Sequence, residues 1–424
     1  MSFFGGGSGS GGETPKLSAL SIQSMGYGVP IQICYGSNRV SPTLGYTSDF
    51  VATAHKSSSG GKLSGGGGST SYTYSSTIMM FVCEGDVRGF GKVWRDKEIY
   101  SGIEKLFTFS KKGTYPQLNW GFLDSQHPTE ALAYNGTALV AASGYALSSS
   151  ATLGNHSIEV SGRCLSAVDT DQNYTDAHVR DVIIDFLTNP HYGAIAAETK
   201  VLSLDTDRMH SYCQAGGILI SPLLSSKKPA HEYLAQWATV ANSGIVWSEG
   251  MLKIIPYADE SFTGNGVTFY ADTTIRYAFD DDNVAEPIKP IRKKPIDCFN
   301  SLPFECLDRS NDYNKFSESA KDQASIEQFG LRPASSLVLD CICLPGIAIQ
   351  VAHTQLLRGL YIRNEYTIVG CVVADLLEPL DFITLTDTDL GMTAVRCRIK
   401  SIDDDQEGTL TITAEEAPEG IYNG

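Results

Sequence analysis

From residue 377 to 414 the chain alternates apolar and polar side chains almost without a break, and a period-two pattern of that length commits a segment to strands with one buried face. Phe382, Thr384 and Thr386 share one parity and Ile383, Leu385 and Asp387 the other; 395–402 and 410–414 continue the pattern. The interruptions are turn-like, first 387–391 and then Asp403-Asp404-Asp405-Gln406-Glu407-Gly408. Three antiparallel strands are therefore expected, enough to close part of a small barrel. Ahead of them Leu344-Pro345-Gly346 opens a helix over 346–361, in which Ile349, Ala352, Gln355, Leu356 and Leu360 recur at helical spacing.

The middle of the chain mixes helices with a hairpin. Val179, Val182, Ile183, Phe186 and Leu187 fall on one face of a helix that stops at Thr188-Asn189-Pro190, with His191-Tyr192-Gly193 as the following turn. A second helix is expected over 205–213, ending at Gly216-Gly217. A third carries Pro229 in its first turn, buries Tyr233, Leu234, Trp237 and Val240, and ends at Asn242-Ser243-Gly244. Ile245-Val246-Trp247 and 252–257 then flank Ser248-Glu249-Gly250-Met251 as a β-hairpin.

Residues 1–16 are mostly glycine and serine, a composition that cannot bury enough apolar surface to order itself. The region 17–165 reads as strands at 31–35, 77–83, 91–94, 98–100 and 156–160, with a mobile glycine loop at 57–69. Within it, 130–134 and 138–146 are ambiguous between strand and short helix. The plan is thus mainly β with an α/β segment: a first β domain over 17–165, a mixed α/β domain over 166–258, and a second β region over 259–424 with one inserted helix near 346–361.

Length excludes a single ordinary domain, and 41 glycines among many Ser, Thr and Tyr residues favour sheets and turns over helix bundles. No apolar run reaches the ~20 residues that span a bilayer. The start, Met1-Ser2-Phe3-Phe4 followed by glycine and serine, lacks the basic and apolar segments of a secretory signal, so synthesis and folding in a cytoplasm are expected. The ten cysteines sit mostly inside apolar patterns and read as small core residues of a reducing compartment. Cys341-Ile342-Cys343 reads as a buried strand, because no second pair or histidine at zinc-finger spacing accompanies it. With 48 acidic against 32 basic residues the formal charge is −16, which argues against stable nucleic-acid binding, since that depends on Lys and Arg displacing counterions.

No motif for chemistry is complete, and no catalytic residue, metal ligand or cofactor is expected. Gly60-Gly61-Lys62-Leu63 fails as a phosphate loop at both ends, with Lys56 at the first glycine position and Leu63 where Ser or Thr holds magnesium. The eight histidines form neither His-Glu-x-x-His nor a nucleophile elbow, and His178, His210 and His231 fall on or near helices as capping or packing groups. Carboxylates cluster at Asp280-Asp281-Asp282, at Asp387 and Asp389, and at Asp403-Asp404-Asp405 with Glu407, without a twelve-residue calcium loop. Solvated turns are the plain account of them.

Several strings together carry a resemblance: Tyr35-Gly36-Ser37-Asn38-Arg39-Val40, Cys83-Glu84-Gly85-Asp86-Val87, the Asn189-Pro190-His191-Tyr192-Gly193 turn, the Trp247 hairpin, Asp308-Arg309-Ser310-Asn311-Asp312-Tyr313-Asn314, Gly330-Leu331-Arg332-Pro333 and Leu380–Asp387 followed by Arg398-Ile399-Lys400-Ser401-Ile402. In this order, over about residues 17–417, the chain resembles the hub of long-tailed, siphovirus-like phage tail tips, the baseplate hub or tail-tip attachment protein similar to the hub region of lambda-like host-specificity proteins. One strand of that family begins Pro-Gly-Asp where this chain has Pro379-Leu380-Asp381, so a different turn is expected there. The resemblance implies two small β-barrel-like hub domains joined by a mixed α/β domain, in a trimer whose six barrels form a ring. It implies a virion protein at the distal tail tip, made in the host bacterial cytoplasm, with the distal tail protein ring, the tape measure protein and tip or receptor-binding fibre proteins as partners in host cell attachment. DNA passes through such a ring transiently, and Asp280, Asp281, Asp282, Asp403, Asp404 and Asp405 become candidates for an acidic lumen. The competing reading is a tip-borne cell-wall hydrolase or glycan-binding module. Against it, Ile421-Tyr422 near the end of the sequence come soon after the last expected strand, so no appended enzyme or fibre domain is expected.

Overall fold

In the computed structural model the described residues are 28–57, 69–163, 165, 176–194, 204–370, 376–404 and 410–421. The glycine loop's tip, the N-terminal 27 residues and Asp405 lie outside them. The fold is mainly β with a few helices. It divides into two compact units, one running up to Arg163 with Leu223–Lys227 added, the other holding the rest.

The first unit contains β1 (Ile33–Cys34), β2 (Ser37–Val40), β3 (Thr43–Ser57), β4 (Ser69–Glu84), β5 (Gly89–Arg95), β6 (Glu98–Tyr100), β7 (Phe109–Lys112), the short helix α1 (Gly121–Gln126), β8 (Thr137–Ala146) and β9 (His156–Ser161). β2 to β9 form two antiparallel four-stranded sheets, β2-β9-β5-β6 and β3-β4-β8-β7. Ile78, Met80 and Val82 of β4 meet Val93, Ile158 and Val160 of the other sheet in one core. Met79 and Leu139, on the opposite face, pack with Trp120 and Leu123 at α1. Burial on both faces is why 138–142 reads as an unbroken apolar run, and β8 places 138–146 in a strand.

The expected 77–83 strand is the second part of the 16-residue β4, and its hairpin partner β3 is absent from the sequence reading. The reason is local. Register shifts between Leu44 and Tyr46 and between Ser48 and Val51 break the period, with Asp49 at φ 48° inside the second. At Gly45 a Cβ would come within 2.1 Å of the Phe81 ring, so the strand passes that ring only as glycine.

The second unit opens with β10 (Ala177–His178), which runs into α2 (Val179–Thr188), followed by α3 (Leu204–Gly216) and β11 (Leu219–Ile220). After β12 (Leu223–Leu224), which is itself part of the first unit and pairs there with β1, the second unit continues with α4 (Ala230–Val240), the hairpin β13 (Ser243–Ser248) and β14 (Met251–Pro256), and a smaller hairpin of β15 (Phe262–Gly264) and β16 (Val267–Phe269). Pro229 is the N-cap of α4, its missing N–H costing nothing there. Val179, Val182, Ile183 and Leu187 are buried along α2, and Leu234, Trp237 and Val240 along α4. Tyr233 is half-buried and Trp247 exposed.

The remaining strands are β17 (Ile275–Phe279), β18 (Lys289–Arg292), β19 (Ser301–Asp308), β20 (Asn314–Lys321), β21 (Leu337–Leu339), β22 (Asn364–Gly370), β23 (Phe382–Asp387), β24 (Met392–Asp404) and β25 (Leu410–Glu416), with α5 (Gln323–Phe329) and α6 (Pro345–Tyr361) between them. Six form one sheet, β17-β23-β24-β25-β22-β18, whose inner face packs Phe279, Ile368, Ile383, Leu385, Ile399 and Ile412. β23, β24 and β25 are antiparallel neighbours as the alternation requires, and β17 adds in parallel beside β23. The three-stranded sheet β20-β19-β21 packs against α6.

Two expectations are corrected here. Ile349 is 42% exposed, and the buried stripe of α6 is Ala348, Val351, Ala352, Leu356 and Leu360 instead. Cys341-Ile342-Cys343 is buried but is not a strand: β21 ends at Leu339, and the three residues form the turn that feeds α6. An apolar run this short fits a buried turn as well as a strand.

Candidate functional surfaces

The acidic clusters occupy the two ends of the six-stranded sheet. Asp280–Asp282 follow the end of β17, where Asp281 accepts from the Thr388 hydroxyl at 2.8 Å and Asp280 from the Asp282 amide at 3.1 Å. Asp387, buried in the adjoining turn, accepts from the Leu390 amide at 2.8 Å. Asp403, exposed, and Asp404 end β24, opposite Thr411 and Leu410. Because β17 runs parallel to β23 and β24 antiparallel to it, this end is the far one. The structure joins 280–282 to 387–389 and separates both from 403–404. Asp280 and Asp387 accept from amides of their own turns, while Asp281 ties its turn to Thr388.

The turn into β23 is built around Leu380, which adopts φ 75°, the region glycine favours. Across from it a Cβ on Gly244 would lie 2.5 Å from Leu380 Cδ1, so glycine at 244 makes room for the side chain that glycine at 380 would lack. Around this turn is a polar cleft lined by Arg208, Lys253, Arg276, Asp272, Glu378 and Asp381 among others. Each carboxylate there has a cation: Asp272 lies 3.5 Å from Arg208 and 3.0 Å from Arg276, Glu378 2.7 Å from Lys253, and Asp381 3.6 Å from Arg276. Burial raises the Glu378 carboxyl, but hydrogen bonds from Lys253 and Ser248 more than offset it and hold the pKa below its usual value. Asp381 is pushed up by burial, yet it accepts from the Glu378 amide at 2.9 Å. Paired in this way, the carboxylates tie the β13–β14 hairpin to the sheet; a glycosidase needs one that stays protonated and faces its substrate.

Among the described residues no group of three or more His, Cys, Asp or Glu side chains is arranged to hold a metal ion. The eight described cysteines are buried free thiols; burial raises Cys83, Cys343 and Cys397 to about 12, which keeps them protonated and unreactive. No helix of the described residues is long and apolar enough to cross a membrane.

The groups that sequence reasoning missed are buried polar ones. Asp176, just before β10, takes the Arg309 guanidinium in two hydrogen bonds and the Ser221 hydroxyl in a third. Arg309 lies 133 positions away, and no local pattern announces such a pair. His178 and His210, by contrast, are expected from sequence as capping or packing groups, and His178 is buried beside His210 with their rings edge to face at 5.1 Å. His156 is held by Gly154 O and the Tyr145 hydroxyl, both at 2.7 Å.

Burial lowers the pKa of both His156 and His210; at His210 the His178 and Arg180 charges add to the effect while Asp181 and Asp207 oppose it. Folded rings that resist protonation bind fewer protons than unfolded ones, whose pKa is about 6.5. Their contribution to stability is complete above that value and shrinks as pH falls below it. Melting temperature is therefore expected to drop between pH 7.5 and 5, and His210→Gln to flatten that drop; a pH-independent melting temperature over this range would contradict the assignment.

Residues 229–402, less than half of the chain, match a family model described as putative phage tail protein. No curated protein matches the chain. Among solved structures, a chain of the virion of a native gene transfer agent particle aligns with 97% of this chain and 90% of its own at 15% identity, with a TM-score of 0.64. That is a likeness of fold. The 43 kDa tail protein of prophage MuSo2 from Shewanella oneidensis aligns with 91% of this chain and all of its own at 11% identity and TM-score 0.34. Prophage tail protein gp18 from Listeria monocytogenes EGD-e aligns with 82% of this chain and 86% of its own at 8% identity and TM-score 0.30.

Proposed function

We propose that the chain is a structural protein of a phage tail or tail-derived particle, and that three copies form the hub at its distal tip. The observation that carries the reading is the tail-family match over 229–402, set within a fold that follows a virion protein along nearly the whole chain. In this role the hub joins the distal tail protein ring to the tip or fibre proteins, receives the tape measure protein, and is the last conduit for DNA at ejection. The charge of −16 suits a passage along which a polyanion slides. The ion-paired carboxylates and protonated thiols described above support a scaffold over a hydrolase. Chemical cross-linking of purified particles is expected to give trimers of this chain; dimers or hexamers alone would overturn the threefold hub.

We also propose that Asp403, Asp404 and Asp405 face the lumen and act collectively. Asp404→Asn is then expected to leave infectivity nearly unchanged, while replacing all three with lysine slows DNA release from particles triggered in vitro. Loss of infection by Asp404→Asn in particles that still assemble and adsorb would point instead to a catalytic or metal site at that turn.

A further inference from the structure

We infer that the surface formed by Ile296, Phe299, Phe329 and Leu331 docks an acidic protein that offers apolar side chains, with Arg292 and Lys294 meeting its carboxylates. These four large side chains are 75%, 41%, 49% and 60% exposed. Two stretches of chain carry them, held side by side by Asn300, itself fully buried: its side chain donates to Gly330 O at 2.8 Å and accepts from the Arg332 amide at 2.7 Å, and its own amide donates to Arg332 O at 3.0 Å. Arg332 closes the arrangement, donating to Pro295 O at 2.7 Å with its guanidinium 5.4 Å from the Phe329 ring centroid. Gly330, at φ 77°, ends α5 and turns the second stretch toward the first.

The patch is thus fixed in shape before anything binds, which lowers the ordering cost of association. Large apolar side chains gathered on a surface and rimmed by polar groups mark interaction sites. Charge identifies the occupant. Lys289–Lys294 supplies Lys289, Arg292, Lys293 and Lys294 without an acid between them, in a chain whose net charge is −16. Lys289 is paired with Glu286 and Lys293 bonds Gly359 O at the end of α6, whereas Arg292 and Lys294 are exposed and enter no ion pair among the described residues. Asp297 and Glu327 on the same stretches leave the locale net positive. β18 is an edge strand, but Pro290 has no N–H to offer, so recognition rests on side chains and not on strand addition. A bilayer of anionic lipid is the poorer fit, because it repels a chain of this overall charge.

The inference rests on the tail-particle reading for the partner being another protein of the particle. The test places the photo-crosslinker p-benzoylphenylalanine at Phe299 in purified, intact particles. The expected adduct joins a different particle protein at a peptide rich in Asp or Glu, and its yield falls at least tenfold in the Arg292→Glu, Lys294→Glu double variant, whose exposed changes leave the melting temperature unaltered. If the chain is present in the particle but the adduct is to a second copy, is missing, or ignores the charge reversal, the docking inference fails alone. Flotation of the free chain with phosphatidylglycerol–phosphatidylethanolamine vesicles, lost in Ile296→Ser, would assign the patch to membrane and overturn it as well. A chain absent from particles would overturn both this inference and the tail reading.

Discussion

Trp237→Ala is expected to cost about 3–5 kcal/mol of unfolding free energy, the range for emptying a fully buried aromatic site. Trp237 has no exposed surface. The Phe186 ring of α2 meets it edge-on at 5.2 Å and Tyr233 stacks on it at 5.9 Å, so the side chain locks α4 to α2. Its indole N–H is buried without a hydrogen-bond partner, which makes Trp237→Phe informative: that change keeps a ring while removing an unmet donor worth about 1–3 kcal/mol. The phenylalanine variant is expected to lose under ~2 kcal/mol, the smaller cavity being partly offset. Calorimetry can follow the transition of the second unit separately, as a two-unit chain need not unfold in one step. A loss below ~1 kcal/mol for Trp237→Ala would show the site able to collapse around the gap.

Arg309→Met should be of similar size, about 3–5 kcal/mol, because it strands a buried charge. Asp176 is 6% exposed, and without the guanidinium its carboxylate keeps, among the described residues, only the hydrogen bond from the Ser221 hydroxyl. The pair raises the Arg309 pKa even though burial acts the other way. Removing both charges, Asp176→Leu with Arg309→Met, should restore part of the loss, since the desolvation penalty disappears with the second charge. Denaturant melts of the single and double variants check this; additive losses would mean the two residues act independently.

What could be read from the sequence followed the strength of the local signal. β23–β25, α2, α4 and the β13–β14 hairpin lie where periodicity, Pro229, the Asn189-Pro190 stop and the Glu249-Gly250 turn agree. β3 was hidden by its own bulges at Gly45 and Asp49, and the buried face of α6 was misplaced at Ile349 because the period alone leaves its phase open. No local pattern singles out Ile296, Phe299, Phe329 and Leu331, which the fold leaves exposed on two stretches joined by the hydrogen bonds of Asn300. Partners such as Asp176 and Arg309, or Asp259 and Arg396, lie more than a hundred positions apart, and only the fold brings them together. Of the candidate lumen residues, the sequence named two acidic runs without revealing that they lie at opposite ends of one sheet.

The central claim, a threefold hub at the tail tip, is tested most directly by an electron-microscopic reconstruction of purified particles in which this chain carries a fused marker protein. The account requires three copies around the tail axis at the distal end, with both compact units contributing to a ring around an open or plugged channel. Marker density along the tail shaft, at the head-proximal end, or in six equivalent copies would contradict it.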